Sequence, residues 1–471
     1  MNMITPDNLH RLVKLAMDTG EAESIEHAQR IFAGYRIGVM VGPEIQWSWS
    51  HQAALLTLLE LASRVFLGGI QVAIPDDISI PNLVAESLGI RWTMDRLSVR
   101  RVQSIEPHIP TVVIGTAVAP HDASFAVRAV FSGWRAGIIP ASASLLFDFD
   151  VEFPLSAILA AALAVNEAFL FVRRDTPEAG LREIGISLWE PDVIDDWSAI
   201  SHDGPRIDYL PNKLWLLGLG HLGQAYLWTL SLLPYVRPDE VSLVLQDIDV
   251  ITRSTLSTSV LSNQHMIGLK KTRAMADVLE ARGFKTEIIE RRFDETLRVL
   301  SDDPQIALCG LDNALGRSAL CGVGFKFVIE AGLGSGPKDF RAIRIHTFPG
   351  TQDPRELWRS EETADIAPAT RAYDHLAAHG LDQCGVTMLA GKAVGAPFVG
   401  VAAATFVIAE IIRVLHGGPL FAVLDMHLKA PHSRIVGKRT AELELANPGF
   451  SRSLQIGSQK VATSSDSRKG G

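Results

Sequence analysis

The sequence predicts a two-part α/β protein, in which each half is a Rossmann-like sheet with crossover helices. Strands alternate with helices in two successive series, one starting at 35–42 and the other at 213–220, and this alternation is typical of parallel sheets. A polar stretch rich in Asp and Pro separates the two series at 189–211. A repeated apolar helix closes each series. We therefore expect two tandem domains.

The two closing helices are the evidence for a duplication. PLSAILAAALAVNE (154–167) and PFVGVAAATFVIAE (397–410) share a proline, an Ala pair and a glutamate at identical spacing. The loop VGPEIQ of the first half lacks the glycine pattern of the second, so the first half is predicted to be a degenerate copy. The apolar stretch 154–172 is about long enough to span a bilayer, but it contains Asn166 and Glu167, which favours a buried helix.

The elements can be placed along the chain from hydrophobic periodicity and turn residues. The first half is predicted to have strands at 35–42, 69–74 and 111–118 and helices at 50–66 and 154–172. The second half is predicted to have strands at 213–220, 241–247, 286–293, 305–312 and 326–334 and helices at 221–233 and 268–282. The predicted boundaries are a domain at 1–188, a linker at 189–211, a domain at 212–443 and a disordered Ser-, Gly- and Lys-rich tail at 444–471.

Composition excludes several classes of protein. The chain has 471 residues, 47% hydrophobic and 21% charged, which is typical of a soluble α/β protein. A net charge of −9 without a basic run argues against nucleic-acid binding. Three cysteines are too few for a disulfide framework or a four-thiolate zinc site. The N-terminus lacks the apolar core of a signal peptide, so we expect a cytoplasmic protein without membrane association.

A glycine-rich loop opens the second half. GLGHLG (218–223) fits the pattern G-x-G-x-x-G directly after a strand and at the start of a helix. Gly218, Gly220 and Gly223 would allow a tight turn and a close approach of phosphate to the helix N-terminus. Asp247 ends the next strand, where an acid commonly binds ribose hydroxyls. These features serve a dinucleotide oxidoreductase and an ATP-using enzyme equally.

The residues after Asp247 resemble the ThiF/MoeB/HesA family, whose eukaryotic relatives are the ubiquitin-activating enzymes. The family pattern of glycine loop, D-x-D-x-V-x-x-S-N-L-x-R-Q, G-x-x-K and a strand ending D-N with a following arginine has counterparts in this order. They are GLGHLG (218–223), DIDVITRSTLSTS (247–259), GLKK (268–271) and LDNALGR (311–317). The resemblance covers about 205–435 and implies a doubly wound, Rossmann-like sheet of the ThiF type there; with the internal duplication it predicts two tandem copies, the first of them degenerate.

The resemblance implies a function as well as a fold. Family members use ATP and Mg²⁺ to adenylate a carboxylate, often the C-terminal glycine of a ubiquitin-like or sulfur-carrier protein. Asp247 then matches the ribose-binding acid, and Asp249 continues the D-x-D pattern. Lys271 matches the phosphate-binding lysine, and Asp312 matches the acid that holds magnesium. Arg317 follows Asp312 as the arginine of the pattern. The implied partner is a small carrier ending in Gly-Gly.

Two positions depart from the family pattern. Thr255 and Thr258 stand where the family has the asparagine and arginine that contact the triphosphate. We therefore expect weaker charge stabilisation unless another arginine substitutes. In family homodimers an N-terminal arginine of the partner subunit completes the ATP site. Here the degenerate half would supply it, as a homodimer or as a pseudo-dimer within one chain, with Arg30 or Arg36 as candidates.

Cysteine positions suggest one further role. Cys384 lies ahead of the closing helix, where some family members place a cysteine that accepts the activated acyl group, so a thioester is one reading and an ordinary buried cysteine the other. Cys309 lies within a strand pattern and is predicted to be in the core. The two C-x-x-C pairs that bind zinc in many members are missing, and we expect no zinc.

Two other functions stay open. A catalytically impaired member that binds nucleotide or a partner protein would explain Thr255 and Thr258. An NAD(P)-dependent oxidoreductase would use the glycine loop and Asp247, but it gives no reason for Lys271 or Asp312 at their positions.

Overall fold

The computed structural model describes residues 7–75, 89–144, 151–350, 352–358, 370–378, 383–439 and 446–455, with the side chains of 383–385 outside that description. The helices are α1 (Lys14–Asp18), α2 (Ile25–Ala33), α3 (Trp49–Val65), α4 (Ile90–Arg96), α5 (Pro154–Arg173), α6 (His221–Ser231), α7 (Lys271–Glu280), α8 (Ala314–Ser318), α9 (Pro354–Leu357), α10 (Arg371–Ala378), α11 (Gln383–Ala390) and α12 (Pro397–Leu415).

The strands fall into two large sheets and one small one. The first sheet contains β1 (Ile37–Val41), β2 (Ile70–Ala73), β3 (Arg100–Val102), β4 (Thr111–Ile114), β5 (Ala126–Ser132), β6 (Arg135–Pro140) and β7 (Ile184–Ser187). The second contains β9 (Lys213–Leu217), β10 (Ser242–Gln246), β11 (Lys285–Ile289), β12 (Ile306–Cys309), β13 (Phe327–Leu333), β14 (Ala342–Phe348), β15 (Phe421–His427) and β16 (Ile435–Lys438). The third pairs β8 (Tyr209–Leu210) with β17 (Ser451–Arg452).

The two large sheets have the same topology. Their strand orders are β3-β2-β1-β4-β5-β6-β7 and β11-β10-β9-β12-β13-β14-β15-β16. In both, the first five strands are parallel and the following ones antiparallel. The predicted Rossmann-like fold in two tandem copies is confirmed. The antiparallel strands are a correction, because the sequence predicted only parallel ones.

The two closing helices also match in detail. In the first copy, Glu167 on α5 accepts the backbone N–H of Gly180 at 3.0 Å, just before β7. In the second, Glu410 on α12 accepts the backbone N–H of Phe421 at 2.8 Å, where β15 begins. Each glutamate thus ties its helix to the chain that enters the next strand. The shared glutamate of the sequence match has the same structural role twice.

The two copies pack on each other through α5 and α12. Phe169 on α5 and Phe398 on α12 have ring centroids 5.9 Å apart, and one apolar core runs through both copies. By length and composition both helices could cross a membrane, but 89% of the apolar window of each is buried inside the protein. The prediction that 154–172 is a buried helix is confirmed.

The C-terminal residues differ from the sequence prediction. A disordered tail was predicted from 444, but 446–455 pack on the second copy, with Ser451–Arg452 paired to Tyr209–Leu210. Pairing satisfies the backbone groups that a loose tail would leave to water. The rest of the predicted tail, 456–471, lies outside the described residues.

The contact between the copies predicts how strongly one of its side chains contributes to the free energy of unfolding. Because Phe398 is fully buried at the α5–α12 contact, Phe398→Ala should lower the free energy of unfolding by about 3–5 kcal/mol, through lost burial and a cavity. Phe450 is 58% exposed, so Phe450→Ala should cost about 0.5 kcal/mol or less. Urea titrations of both variants measure the difference, and equal losses would contradict this account of the contact.

Candidate functional site

A cleft of about 660 Å³ opens at the carboxyl ends of β9, β10 and β12. β9 lies between β10 and β12, so the strand order reverses at this point, which is where open α/β sheets bind ligands. The cleft gathers most of the site residues that the sequence singled out. They are Gly218, Gly220, Asp247, Asp249, Lys271, Asp312 and Arg317.

The glycine loop shapes one side of the cleft. Gly218 has φ +83°, a conformation that favours glycine. A side chain added at Gly220 would meet nothing within 4 Å, so the start of α6 stands open to the cleft. Gly223 is absent from the cleft wall. Its Cα faces the Gly218 carbonyl oxygen, which would lie 1.9 Å from an added Cβ, so Gly223 allows α6 to pack against the loop.

The two acids after β10 hold the loop and a lysine. Asp247 accepts the backbone N–H of Leu219 at 2.7 Å and that of Asp249 at 2.7 Å. Lys271, the first residue of α7, has its Nζ 2.8 Å from an Asp249 oxygen and 3.7 Å from an Asp247 oxygen. Asp247 is therefore a nearly buried anchor that keeps the loop and the lysine beside one another.

The hydroxyl-rich segment forms the facing wall. Ser254, Thr255, Thr258 and Ser259 all line the cleft, and Thr255–Ser257 form a single 3-10 turn. The Thr255 hydroxyl oxygen accepts the backbone N–H of Thr252 at 3.1 Å and lies 3.1 Å from the Thr252 hydroxyl oxygen. This wall offers neutral hydroxyls where the related family has asparagine and arginine.

Arg11 is a cleft residue that the sequence did not identify. It comes from the N-terminal segment of the first half, where its backbone N–H donates to Ser257 Oγ at 3.1 Å and its Nη1 to the Ala393 carbonyl at 3.0 Å. Gly395 faces both Thr258 and Arg11: a Cβ added there would lie 2.8 Å from Thr258 Cγ2 and 3.8 Å from Arg11 Cβ. Arg11 therefore adds a guanidinium to the cleft that is also lined by Thr258, the threonine at the position of the family arginine.

The charge on Arg11 is matched by an acid. Burial lowers the pKa of Arg11, and the carboxylates of Asp312 and Asp7 oppose that shift. Asp312 lines the same cleft as Arg11. Within this chain neither Arg30 nor Arg36 lines the cleft: Arg36 lines a separate groove of the first copy, and Arg30 lies in the last turn of α2. No sequence pattern marks Arg11, because its approach to the cleft depends on how the two copies pack.

Asp312, Asn313 and Arg317 stand at the end of β12. Asn313 caps α8 by accepting the Gly316 N–H at 2.7 Å. Arg317 Nε donates to the Leu311 carbonyl at 2.8 Å and lies 3.2 Å from Glu330, which is 1% exposed. Arg317 is therefore fixed by a buried glutamate, while Asp312 faces the cleft.

A metal would have few protein ligands here. In the part of the chain that the structure describes, no three His, Cys, Asp or Glu side chains come together as a metal-binding group. Mg²⁺ bound with a nucleotide commonly uses one or two carboxylates together with phosphate oxygens and water. One cleft-facing carboxylate, Asp312, fits such a metal.

Cys309 and Cys321 do not line the cleft. Cys384 is the second residue of α11, and its side chain lies outside the described residues. At 1.5 Å per residue, its backbone stands about 9 Å along the helix axis from Ala390, which is followed by the cleft residues Ala393–Gly395. Cys309 is buried, as predicted, and burial raises its pKa to about 12.

The chain has two tandem Rossmann-like copies, and a glycine loop, paired acids and a lysine surround the cleft of the second. These features define the class that includes the E1-like proteins. Residues 36–188 match the family model of the BilD N-terminal domain, and residues 210–418 match that of the BilD C-terminal domain. The bacterial E1-like protein BilD of Collimonas sp. (strain OK412) is 42% identical over 416 residues, which are 88% of this chain and 90% of that protein. The chain belongs to the BilD family.

Solved structures resemble the chain more distantly. E. coli TcdA, a tRNA N6-threonylcarbamoyladenosine dehydratase, is 13% identical with a TM-score of 0.29, covering 44% of this chain and 87% of its own. E. coli MccB is 13% identical with a TM-score of 0.32, covering 70% of this chain and 96% of its own. The family models that match are those of BilD domains and not of ThiF itself. The general resemblance to the ThiF/MoeB/HesA family is therefore refined to the BilD family.

His221 in the glycine loop makes the cleft sensitive to acid. Burial, with a smaller contribution from the Arg11 charge, lowers the pKa of His221 from 6.5 to about 4. The unfolded chain therefore binds more protons between these values, and the free energy of unfolding should fall as the pH drops from 6.5 towards 4, by at most about 1.4 kcal/mol per pH unit for this residue.

The pH dependence can be assigned with two variants. His221→Gln should remove part of the acid sensitivity measured by thermal unfolding between pH 7 and 5. His265 is exposed, so His265→Gln should leave that sensitivity unchanged. His10 and His51, whose pKa values burial also lowers to about 4, supply what remains. An unchanged slope in His221→Gln would contradict a neutral His221 ring in the folded chain.

Proposed function

We propose that this protein uses ATP and Mg²⁺ to adenylate the C-terminal carboxylate of a small ubiquitin-like or sulfur-carrier protein or of a peptide. The observation that carries the proposal is the convergence of Arg11, Lys271, Asp247 and Asp312 on one cleft. The E1-like name of the Collimonas relative supports the same class of reaction.

The nucleoside and the phosphates would bind different sides of the cleft. Asp247, at the end of β10, has the position of a ribose-binding acid. The open space over Gly220 leaves the first turn of α6 free for phosphate oxygens, since helix N-termini carry unpaired N–H donors and positive partial charge. The nucleotide would then span from Asp247 to the hydroxyl-rich wall.

Lys271 is available for a phosphate at low cost. Its closest partner is Asp249, whose side chain is 63% exposed, while that of Lys271 is 12% exposed. An ion pair with a solvent-exposed partner contributes about 0–1 kcal/mol, so a triphosphate with several negative charges can replace this one. We propose that Lys271 moves from Asp249 to the phosphates when ATP binds.

The reaction forms one bond and breaks one. An oxygen of the carrier carboxylate attacks the α-phosphorus, the bond from that phosphorus to the pyrophosphate oxygen breaks, and pyrophosphate leaves with the electron pair. Magnesium, when bound, offsets negative charge on the phosphates, and Asp312 is the residue that would hold it. The protein supplies position and charge rather than a proton, as is typical of reactions at phosphorus.

Arg11 would supply the charge that the loop has lost. Its side chain lines the same cleft as Thr258, so the triphosphate would meet a guanidinium despite the threonine. Arg11 therefore favours an active enzyme over the catalytically impaired reading. The first half, although degenerate, would then contribute to catalysis through this side chain.

The experiment is ATP–pyrophosphate exchange with a candidate Gly-Gly-ending carrier. Arg11→Ala should lower the exchange rate by about 10²–10³-fold, as losing one charge-stabilising donor commonly does. Arg30→Ala removes an arginine of the same half outside the cleft and should leave the rate unchanged. Equal rates in the two variants would contradict the role of Arg11.

Two other outcomes would replace the proposal. ATP binding that Lys271→Ala abolishes, without exchange for any carrier tested, would favour a nucleotide-binding protein that lacks the reaction. NAD binding without ATP binding would favour an oxidoreductase.

Cys384 is the proposed acceptor of the activated acyl group. Its backbone lies in the first turn of α11, in the stretch of chain that leads to the cleft residues Ala393–Gly395. Cys384→Ala should abolish a carrier conjugate that reducing agent cleaves, while adenylation and pyrophosphate exchange continue. Cys321, the remaining cysteine of the chain, lies shortly after α8, so Cys321→Ala is the matched control and should keep the conjugate. A cleavable conjugate that persists in Cys384→Ala would exclude the thioester.

A further inference from the structure

Arg64 lies on α3 of the first copy and reaches into the second. Its Nε donates to the Leu256 carbonyl at 3.1 Å, and its Nη2 donates to the carbonyls of Val260 and Ser262 at 3.0 Å each. The carbonyls of Val260 and Ser262 accept no loop N–H among the described residues. One guanidinium thus satisfies three carbonyls of the segment that begins with the cleft-lining hydroxyls.

Arg64 is itself held in place. Its Nη1 pairs with a Glu60 oxygen at 2.9 Å, one turn earlier on α3. The other Glu60 oxygen pairs with Arg96. Burial lowers the pKa of Arg64 to about 10, which still leaves it charged at neutral pH. A rigid, charged fork therefore stands behind the segment.

The segment 254–262 has two sides with different partners. Its front, with Thr255 and Thr258, lines the cleft. Its back meets Arg64, and its start is tied to the N-terminal segment, where the Ser254 N–H donates to the Asp7 carbonyl at 2.7 Å. Apart from one 3-10 turn, the segment has no regular structure. Its shape therefore depends on side-chain and backbone partners from the first copy.

We propose that Arg64 is the positioning residue that holds segment 254–262 in the shape that forms the triphosphate wall of the cleft. This role rests on the proposed function for its effect on ATP. The planar fork suits the task because its donors point in fixed, separate directions, whereas the three donors of a lysine ammonium sit on one freely rotating nitrogen. The degenerate copy thereby acts on the nucleotide through a residue that never contacts it.

The test uses the full-length chain and the variants Arg64→Lys and Arg64→Met. Amide hydrogen exchange should become faster in 254–262 in both variants but stay unchanged in α7, which Arg64 does not contact. ATP affinity should fall about tenfold or more, while AMP affinity changes less than about twofold, because the wall faces the outer phosphates. A displaced wall of this kind lowers pyrophosphate exchange by up to about 100-fold.

Arg96→Met is the matched control, because it removes the other arginine on Glu60 without touching the segment. It should keep both the amide hydrogen exchange of 254–262 and the ATP affinity of the wild-type protein. Unchanged protection of 254–262 in Arg64→Met, or equal losses of ATP and AMP affinity, would overturn the positioning role. If the unchanged protein binds no ATP, the proposed function fails, and the hydrogen exchange of 254–262 still decides the role of Arg64.

Discussion

The packing of α5 on α12 is the contact on which the rest of the structure depends. Both helices are almost entirely buried, and they join the two copies into one apolar core. This contact also places α3 and the N-terminal segment beside the cleft of the second copy. Arg11 and Arg64 reach the hydroxyl-rich wall only because this packing fixes where the first copy stands.

The two copies share a topology but differ at the equivalent cleft. In the second, Gly218 and Gly310 lie near each other after β9 and β12 and line open space. In the first, Glu44 occupies the corresponding place: an added Cβ at Gly42 or Gly115 would lie 2.3 Å or 2.2 Å from its carboxylate oxygen. The Thr116 N–H donates to the same carboxylate at 3.2 Å. An internal anion thus fills the position where a phosphate would approach.

Local patterns in the sequence were sufficient for part of this description. The strand, glycine loop and helix of GLGHLG are adjacent in sequence, and the acids and lysine follow the ends of predicted strands, so Asp247, Lys271 and Asp312 could be placed in one cleft. The antiparallel direction of strands β6 and β14 could not be predicted, because it depends on which strands they pair with in the sheet. Arg11 and Arg64 contact residues that lie about two hundred or more positions away in the sequence, and no local pattern marks such a contact.

Because the two copies are joined in one polypeptide, Arg11 reaches the cleft without the association of a second subunit. When a partner subunit supplies an arginine, the fraction of complete sites rises and falls with the concentration of the partner. Here Arg11 is tethered to the cleft it enters and so has the high effective concentration of an intramolecular group. Dilution cannot remove it. The first copy, in which Glu44 fills the equivalent position, thus contributes a side chain to the cleft of the second.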